Sequence, residues 1–149
     1  MTQMNIRQVM DLLPHRFPFL LVDKVLELVP NESVVVQKNV TASEPCFQGH
    51  FPDYPLYPGV LLLESMAQTM AFVTFGDANF ERKPDSVYFL AGIDKARFKR
   101  QVVPGDVVII KTRLLKTMKG AAKFESEAYV GDELACSATI MGMLKEVER

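Results

Sequence analysis

PGVLLLESMAQTMAFVTFG, at residues 58–76, decides how the rest of the chain must fold. Pro58 sits where a helix accepts proline in its first turn, because the missing N–H has no intrahelical partner there. Gly76 fits a C-terminal stop. Residues 60–75 between them predict roughly 24 Å of helix. The segment is apolar nearly all round, so burial on every side is expected. A helix of that kind needs a sheet or other helices wrapped about it.

The residues downstream supply the wrapping. Ser86 to Arg100, Asp106 to Lys116, Ala122 to Val130 and Leu134 to Leu144 read as strands. Pro104-Gly105, Lys119-Gly120 and Gly131-Asp132 separate them, and short connections imply antiparallel neighbours. Upstream, Ile6, Val9, Met10 and Leu13 have helical spacing that Pro14 ends. Phe19 to Val29 and Ser33 to Val40 read as two more strands around the Pro30-Asn31 turn. Between them and the central helix, Thr41 to Gly59 holds Pro45, Pro52, Pro55 and Pro58, too many for regular structure. A loop that long in a compact domain points to function. The expected class is α+β, a curved antiparallel sheet around one long central helix, in a single domain over 1–149.

Composition narrows the function. With 149 residues, 48% apolar and 23% charged, the chain suits one soluble globular domain and not a disordered one. A net charge of −1 carries no footprint of nucleic-acid binding. Cys46 and Cys136 form no CxxC, which leaves neither a zinc pattern nor a disulfide framework, and no metal is expected. The N-terminal residues include Asp11 and no long apolar core, unlike a secretory signal. The 58–76 stretch is interrupted by Glu64, Ser65 and Gln68, unlike a membrane span. A cytoplasmic location with no membrane partner is the expectation.

Three residues can carry chemistry. Glu64 is the one ionisable side chain on the central helix. Burial would raise its pKa toward that of a general acid, unless the helix exposes a narrow edge shared with Gln68. His50 lies in Gly49-His50-Phe51-Pro52, on a loop restrained by proline, and is placed for acid–base work near neutral pH or else is a plain surface histidine. Gly59 falls in the first helical turn, where free N–H groups can stabilise an oxyanion or simply mark a turn. His15, between Pro14 and Pro18 at a helix end, is expected to cap or bond locally. A base, a carboxylic acid and a backbone donor suit proton abstraction beside a carbonyl with loss of a β-leaving group.

LPHRFPFLLVDKV (13–25), KNVTASEP (38–45), GHFPDYPLYPGVLLLESMAQ (49–68) and FLAGIDKARFKRQVVPGD (89–106) occur in this order. They closely resemble the 3-hydroxyacyl-acyl carrier protein dehydratases of bacterial type II fatty acid synthesis. The resemblance implies a hot-dog fold, with the 58–76 helix inside the sheet. It implies a homodimer joined sheet edge to sheet edge, commonly a trimer of such dimers. The site is then composite: His50 of one subunit faces Glu64 of the other in a tunnel. Gly59 N–H binds the thioester carbonyl and the Leu56 carbonyl binds the His50 ring. The implied reaction turns a (3R)-3-hydroxyacyl chain on acyl carrier protein into the trans-2-enoyl thioester, with no cofactor. Glutamate at 64 favours the general dehydratase over the decanoyl dehydratase-isomerase branch.

Departures from the family pattern are Cys46, Tyr57 and Ser65, where an aromatic, methionine and alanine are usual. Cys46 and Tyr57, with Phe51 and Pro58, are expected to shape the substrate tunnel. Between Lys95 and Lys123 nine basic residues accompany one acid, Asp106. Lys95, Arg97 and Lys99 alternate and share a face if the strand is regular. With Arg100 they form the expected docking surface for an acidic carrier protein, against the plainer possibility of a solvated strand. Two rival functions remain at this level: a hot-dog acyl thioesterase and a non-catalytic acyl-carrier-binding protein.

Overall fold

The computed structural model describes residues 2–148, so Met1 and Arg149 lie outside the described residues. Helix α1 spans Ile6–Leu12, α2 Gly59–Gln68 and α3 Met70–Phe75. The strands are β1 (Lys24–Val29), β2 (Ser33–Asn39), β3 (Ser86–Phe98), β4 (Val107–Met118), β5 (Ala121–Val130) and β6 (Glu133–Glu146). All six form one antiparallel sheet in the order β1-β2-β4-β5-β6-β3. Gly120 and Gly131 close the β4–β5 and β5–β6 turns at φ 75° and 58°, values that glycine reaches without a Cβ penalty.

Strand periodicity puts one face of the sheet inside. Val34 and Val36, Val108 and Ile110, Phe124 and Ile140 are fully buried, with half-exposed neighbours between them. The α2 helix packs on β5 and β6, and α3 on β1 through β4, so the central rod touches every strand. No helix among the described residues is long and apolar enough to cross a membrane.

Three expectations change in detail. The central helix is divided at Thr69, whose hydroxyl bonds Met66 O at 2.6 Å and meets Thr112 Oγ1 at 2.6 Å. Thr112 in turn meets Ser126 Oγ at 2.8 Å. This buried hydroxyl chain competes with the i−4 ladder, yet Thr69 keeps helical angles, and α3 continues α2. Nor is the helix buried on every side. Ser65 to Val73 is buried throughout, but Val60 is 72% exposed and Leu61 and Leu63 are half-exposed. The strand expected from Phe19 begins only at Lys24, because Phe19 and Leu20 give their N–H groups to Arg16 O and Leu21 gives its own to Gln68 Oε1. The proline-rich loop also contains one 3₁₀ turn, Pro45–Gln48.

Candidate active site

Glu64 projects from the second turn of α2 into a cavity of about 120 Å³. Its walls include Leu13, His15, Gln68, Met70, Tyr88 and Leu90. The carboxyl is mostly buried, and desolvation pushes its pKa above the usual carboxylate value, while a hydrogen bond from Gln68 pulls it partly back. Gln68 Nε2 donates to Glu64 Oε2 at 3.0 Å and to Phe19 O at 2.8 Å. Gln68 Oε1 accepts from Leu21 N at 3.0 Å. The backbone partners leave the amide one orientation, and the 64/68 pair lies on one helix face at i, i+4 spacing.

His50 sits on the loop that follows the 3₁₀ turn. Its backbone is tied at both ends, N–H to Cys46 O at 3.0 Å and O from Leu56 N at 3.1 Å. Its ring stacks on Phe51 at 4.2 Å. Nδ1 lies 2.7 Å from Leu56 O. A carbonyl can only accept, so Nδ1 carries the proton and Nε2 keeps the lone pair a base needs.

Gly59 is the first residue of α2, and Pro58 is the cap before it rather than the first helical residue. Pro58 O accepts from Leu61 N at 3.0 Å and Leu62 N at 3.1 Å. The amides of Gly59 and Val60 precede the first helical bond and are therefore available as donors. A groove of about 360 Å³ opens at Gly59 between Leu56, Tyr57, Leu62, Phe98, Lys99 and Arg100. A Cβ on Gly59 would stand 2.8 Å from Phe98 Cε1, so any larger residue here must displace the Phe98 ring.

Within the chain, Gly59, Leu56 and Tyr57 come together at the groove, with His50 attached through Leu56 and Pro58 capping the helix beside it. Glu64 does not join them. The charged-group neighbour of Glu64 within the chain is His15, whose Nε2 stands 3.8 Å from Glu64 Oε2. His15 was expected to cap or bond locally. Instead Leu13 occupies the cap position, and the buried His15 Nδ1 has no hydrogen-bond partner among the described residues. Burial and the adjacent Arg16 charge lower the His15 pKa. Gln68's role was open to a sequence reader through its spacing from Glu64. His15, forty-nine positions away, gave no such signal.

The remaining candidates take distinct places. Tyr57 is buried between Phe47, at 6.1 Å, and Lys38 Nζ, 5.0 Å from its ring. Its hydroxyl is buried beside Ser65 Oγ, which gives its own proton to Leu61 O and keeps lone pairs that can accept. Cys46 is half-buried, and burial raises its thiol pKa. Phe51 remains about half exposed over the His50 ring. Lys95, Arg97 and Lys99 are all exposed, but not by plain alternation. Lys95 and Ala96 together oppose Ala138 in a β-bulge, and Lys95 adopts φ 54°. Lys95 and Arg97 still border one shallow depression with Glu125 and Ser137. Arg100 stands apart, paired with Asp106 at 3.1 Å and Glu133 at 3.4 Å.

Residues 13–139 match the FabA-like domain family. A relative from Ralstonia nicotianae is 49% identical over 95% of this chain and 87% of its own length. One from Polynucleobacter asymbioticus is 52% identical over 91% and 89%. Both carry the name 3-hydroxyacyl-[acyl-carrier-protein] dehydratase FabZ.

The chain belongs to this family of FabZ dehydratases.

Among solved structures, the dehydratase heterocomplex ApeI:P from Xenorhabdus doucetiae superposes with a TM-score of 0.74 at 23% identity, covering 95% of this chain and 91% of that one. Cj0977 from Campylobacter jejuni superposes at 0.68 and 16% identity, over 97% and 91%. At such identities the likeness speaks for the fold alone. The hot-dog arrangement of helix and sheet is the family's fold and the one observed.

Proposed function

We propose that this protein dehydrates 3-hydroxyacyl chains on acyl carrier protein to the trans-2-enoyl thioester, within fatty acid synthesis. The observation that carries the chemistry is Glu64: a carboxyl whose pKa burial raises, oriented by Gln68 on the central helix. His50 Nε2 takes the proton from C2 as its Nδ1–H bond to Leu56 O steadies the ring. The C2 electron pair forms the double bond, with negative charge on the thioester oxygen received by the Gly59 amide. The C3–O bond breaks, and Glu64 gives the leaving hydroxyl its proton, releasing water. His50 then holds one proton more and Glu64 one fewer, and exchange with solvent resets both. Tyr57, Phe51, Pro58 and Cys46 shape the acyl path, and no cofactor enters.

The site is shared between two subunits. His50 and Glu64 share no hydrogen bond or ion pair within one chain among the described residues. β3 is an outer strand of the sheet, with Phe89, Leu90 and Phe98 about half exposed along it. Exposed Val60 and half-exposed Leu61 and Leu63 continue that apolar surface at the start of α2. Pairing two copies along β3 covers it and brings the two groups face to face, as a dimer or a trimer of dimers. Lys95, Arg97 and Lys99 are left outside as a basic approach for the carrier.

The test mixes inactive variants. His50→Ala and Glu64→Gln should each lose most hydration of an enoyl thioester. Subunits of the two exchanged at equal amounts should recover about a quarter of the original rate, because half the dimers are mixed and each mixed dimer holds one intact site. No recovery after verified exchange would refute the shared site. Release of free thiol without enoyl product would point to a thioesterase. Retained carrier binding without turnover by the unmodified protein would point to a non-catalytic binder.

A further inference from the structure

His15 is a half-buried histidine that the reaction above does not use. Its ring lies near Phe19 in stacked orientation, 6.4 Å between centroids. Arg16 fastens the same segment to the end of α1, donating to Met10 O at 3.1 Å, Leu13 O at 2.8 Å and His15 O at 2.6 Å. The imidazole is therefore held at the wall of the Glu64 cavity by an anchored turn.

Its protonation follows from what surrounds it. Nδ1 is buried and has no partner, so a proton there would be an unsatisfied donor. Nε2 faces Glu64 Oε2 at 3.8 Å. The neutral ring with its proton on Nε2 is the form that aims its one donor at the carboxyl. A second proton is opposed by burial and by the Arg16 charge. At 3.8 Å the pair is just outside hydrogen-bond reach, and catalytic contacts of unliganded sites often tighten when substrate fills them.

We propose that His15 is a positioning residue for Glu64, its Nε2–H donating to Oε2 beside the Gln68 donor so that Oε1 carries the catalytic proton. Two donors on one oxygen make the other the site of protonation and turn it toward the cavity. This rests on Glu64 being the general acid. The ionisable groups lining the cavity are His15 from the turn after α1 and Tyr88 from β3, with Arg16 behind His15. Tyr88 is engaged elsewhere, its hydroxyl 2.7 Å from Thr74 Oγ1.

The experiment compares His15→Leu, His15→Gln and His15→Asn in the intact oligomer. Glutamine can place an amide donor where Nε2 stands; leucine has none, and asparagine is too short to reach. Leucine and asparagine should lower kcat about tenfold with little change in KM, the effect of one lost donor. They should also raise the Glu64 pKa, read directly by carbon NMR of labelled glutamate assigned with Glu64→Gln, and shift the matching limb of the pH–rate profile upward. Glutamine should restore both. An unchanged Glu64 titration in leucine and asparagine variants would overturn the proposal, as would equal loss in all three with native thermal unfolding. If leucine prevents folding, the asparagine–glutamine contrast decides alone. Should Glu64→Gln keep full activity, the general-acid assignment falls, while the Glu64 titration still judges the His15 contact.

Discussion

Gly59→Ala is the sharpest probe of the proposed oxyanion site, because one added carbon has a computable effect. The new Cβ would stand 2.8, 3.1 and 3.3 Å from Phe98 Cε1, Cδ1 and Cζ. Carbon atoms attract at about 3.5–4.0 Å, so the ring or the helix start must move. Overpacking a sealed core costs about 1–3 kcal/mol. Phe98 is 55% exposed in the chain, so its ring can swing away and the stability loss should fall at the low end, about 1 kcal/mol. Activity is less forgiving. Displacing one oxyanion donor costs about 10²–10³ in kcat. The expected result is therefore a protein that unfolds nearly like the original yet hydrates an enoyl thioester at least about a hundredfold more slowly. Phe98→Leu, which removes the atoms in the way, should return much of the loss when combined with Gly59→Ala. A double-mutant cycle on kcat, with denaturant unfolding in parallel, measures both terms. Full activity of Gly59→Ala would refute the placement of the donor at this amide. A cycle with no coupling would refute the contact as the cause.

Three further outcomes follow from other parts of the molecule. Glu64→Gln should stabilise the fold at neutral pH: burial raises the carboxyl pKa above 4.5, so the folded state is penalised for ionising it as pH rises through the folded value, and the penalty vanishes below 4.5. Urea unfolding of both proteins from pH 4 to 8 checks this, and a gain that grows on acidification would contradict it. Lys95→Glu with Arg97→Glu should cut kcat/KM for carrier-bound substrate about tenfold at low salt and leave a small thioester mimic nearly untouched; equal losses would argue against docking. Tyr57→Phe removes a buried hydroxyl that makes no hydrogen bond of ordinary length among the described residues, so the unfolding free energy should change by no more than about 1 kcal/mol, and a larger loss would mean the hydroxyl is bonded to Ser65 Oγ beside it.

Periodicity alone determined most of the architecture. The apolar run at 58–76 demanded a wrapped helix, and the strands beyond it have nearly the bounds their patterns predict. Glu64 stood out because a lone carboxyl on an apolar helix is costly wherever the helix goes. These are local properties, carried by residues one or two turns apart. The tertiary structure alone decided which histidine of the chain adjoins that carboxyl. His15 reaches Glu64 because Gln68 reaches back to bond Phe19 O and Leu21 N, pinning the N-terminal segment against α2. It also decided that His50 is tied to Leu56 at the wall of the Gly59 groove, that Lys95 sits in a bulge, and that the Thr69 hydroxyl meets Thr112, which in turn meets Ser126. Each depends on pairings between distant segments, and a side-chain period cannot express which strand or loop will lie opposite.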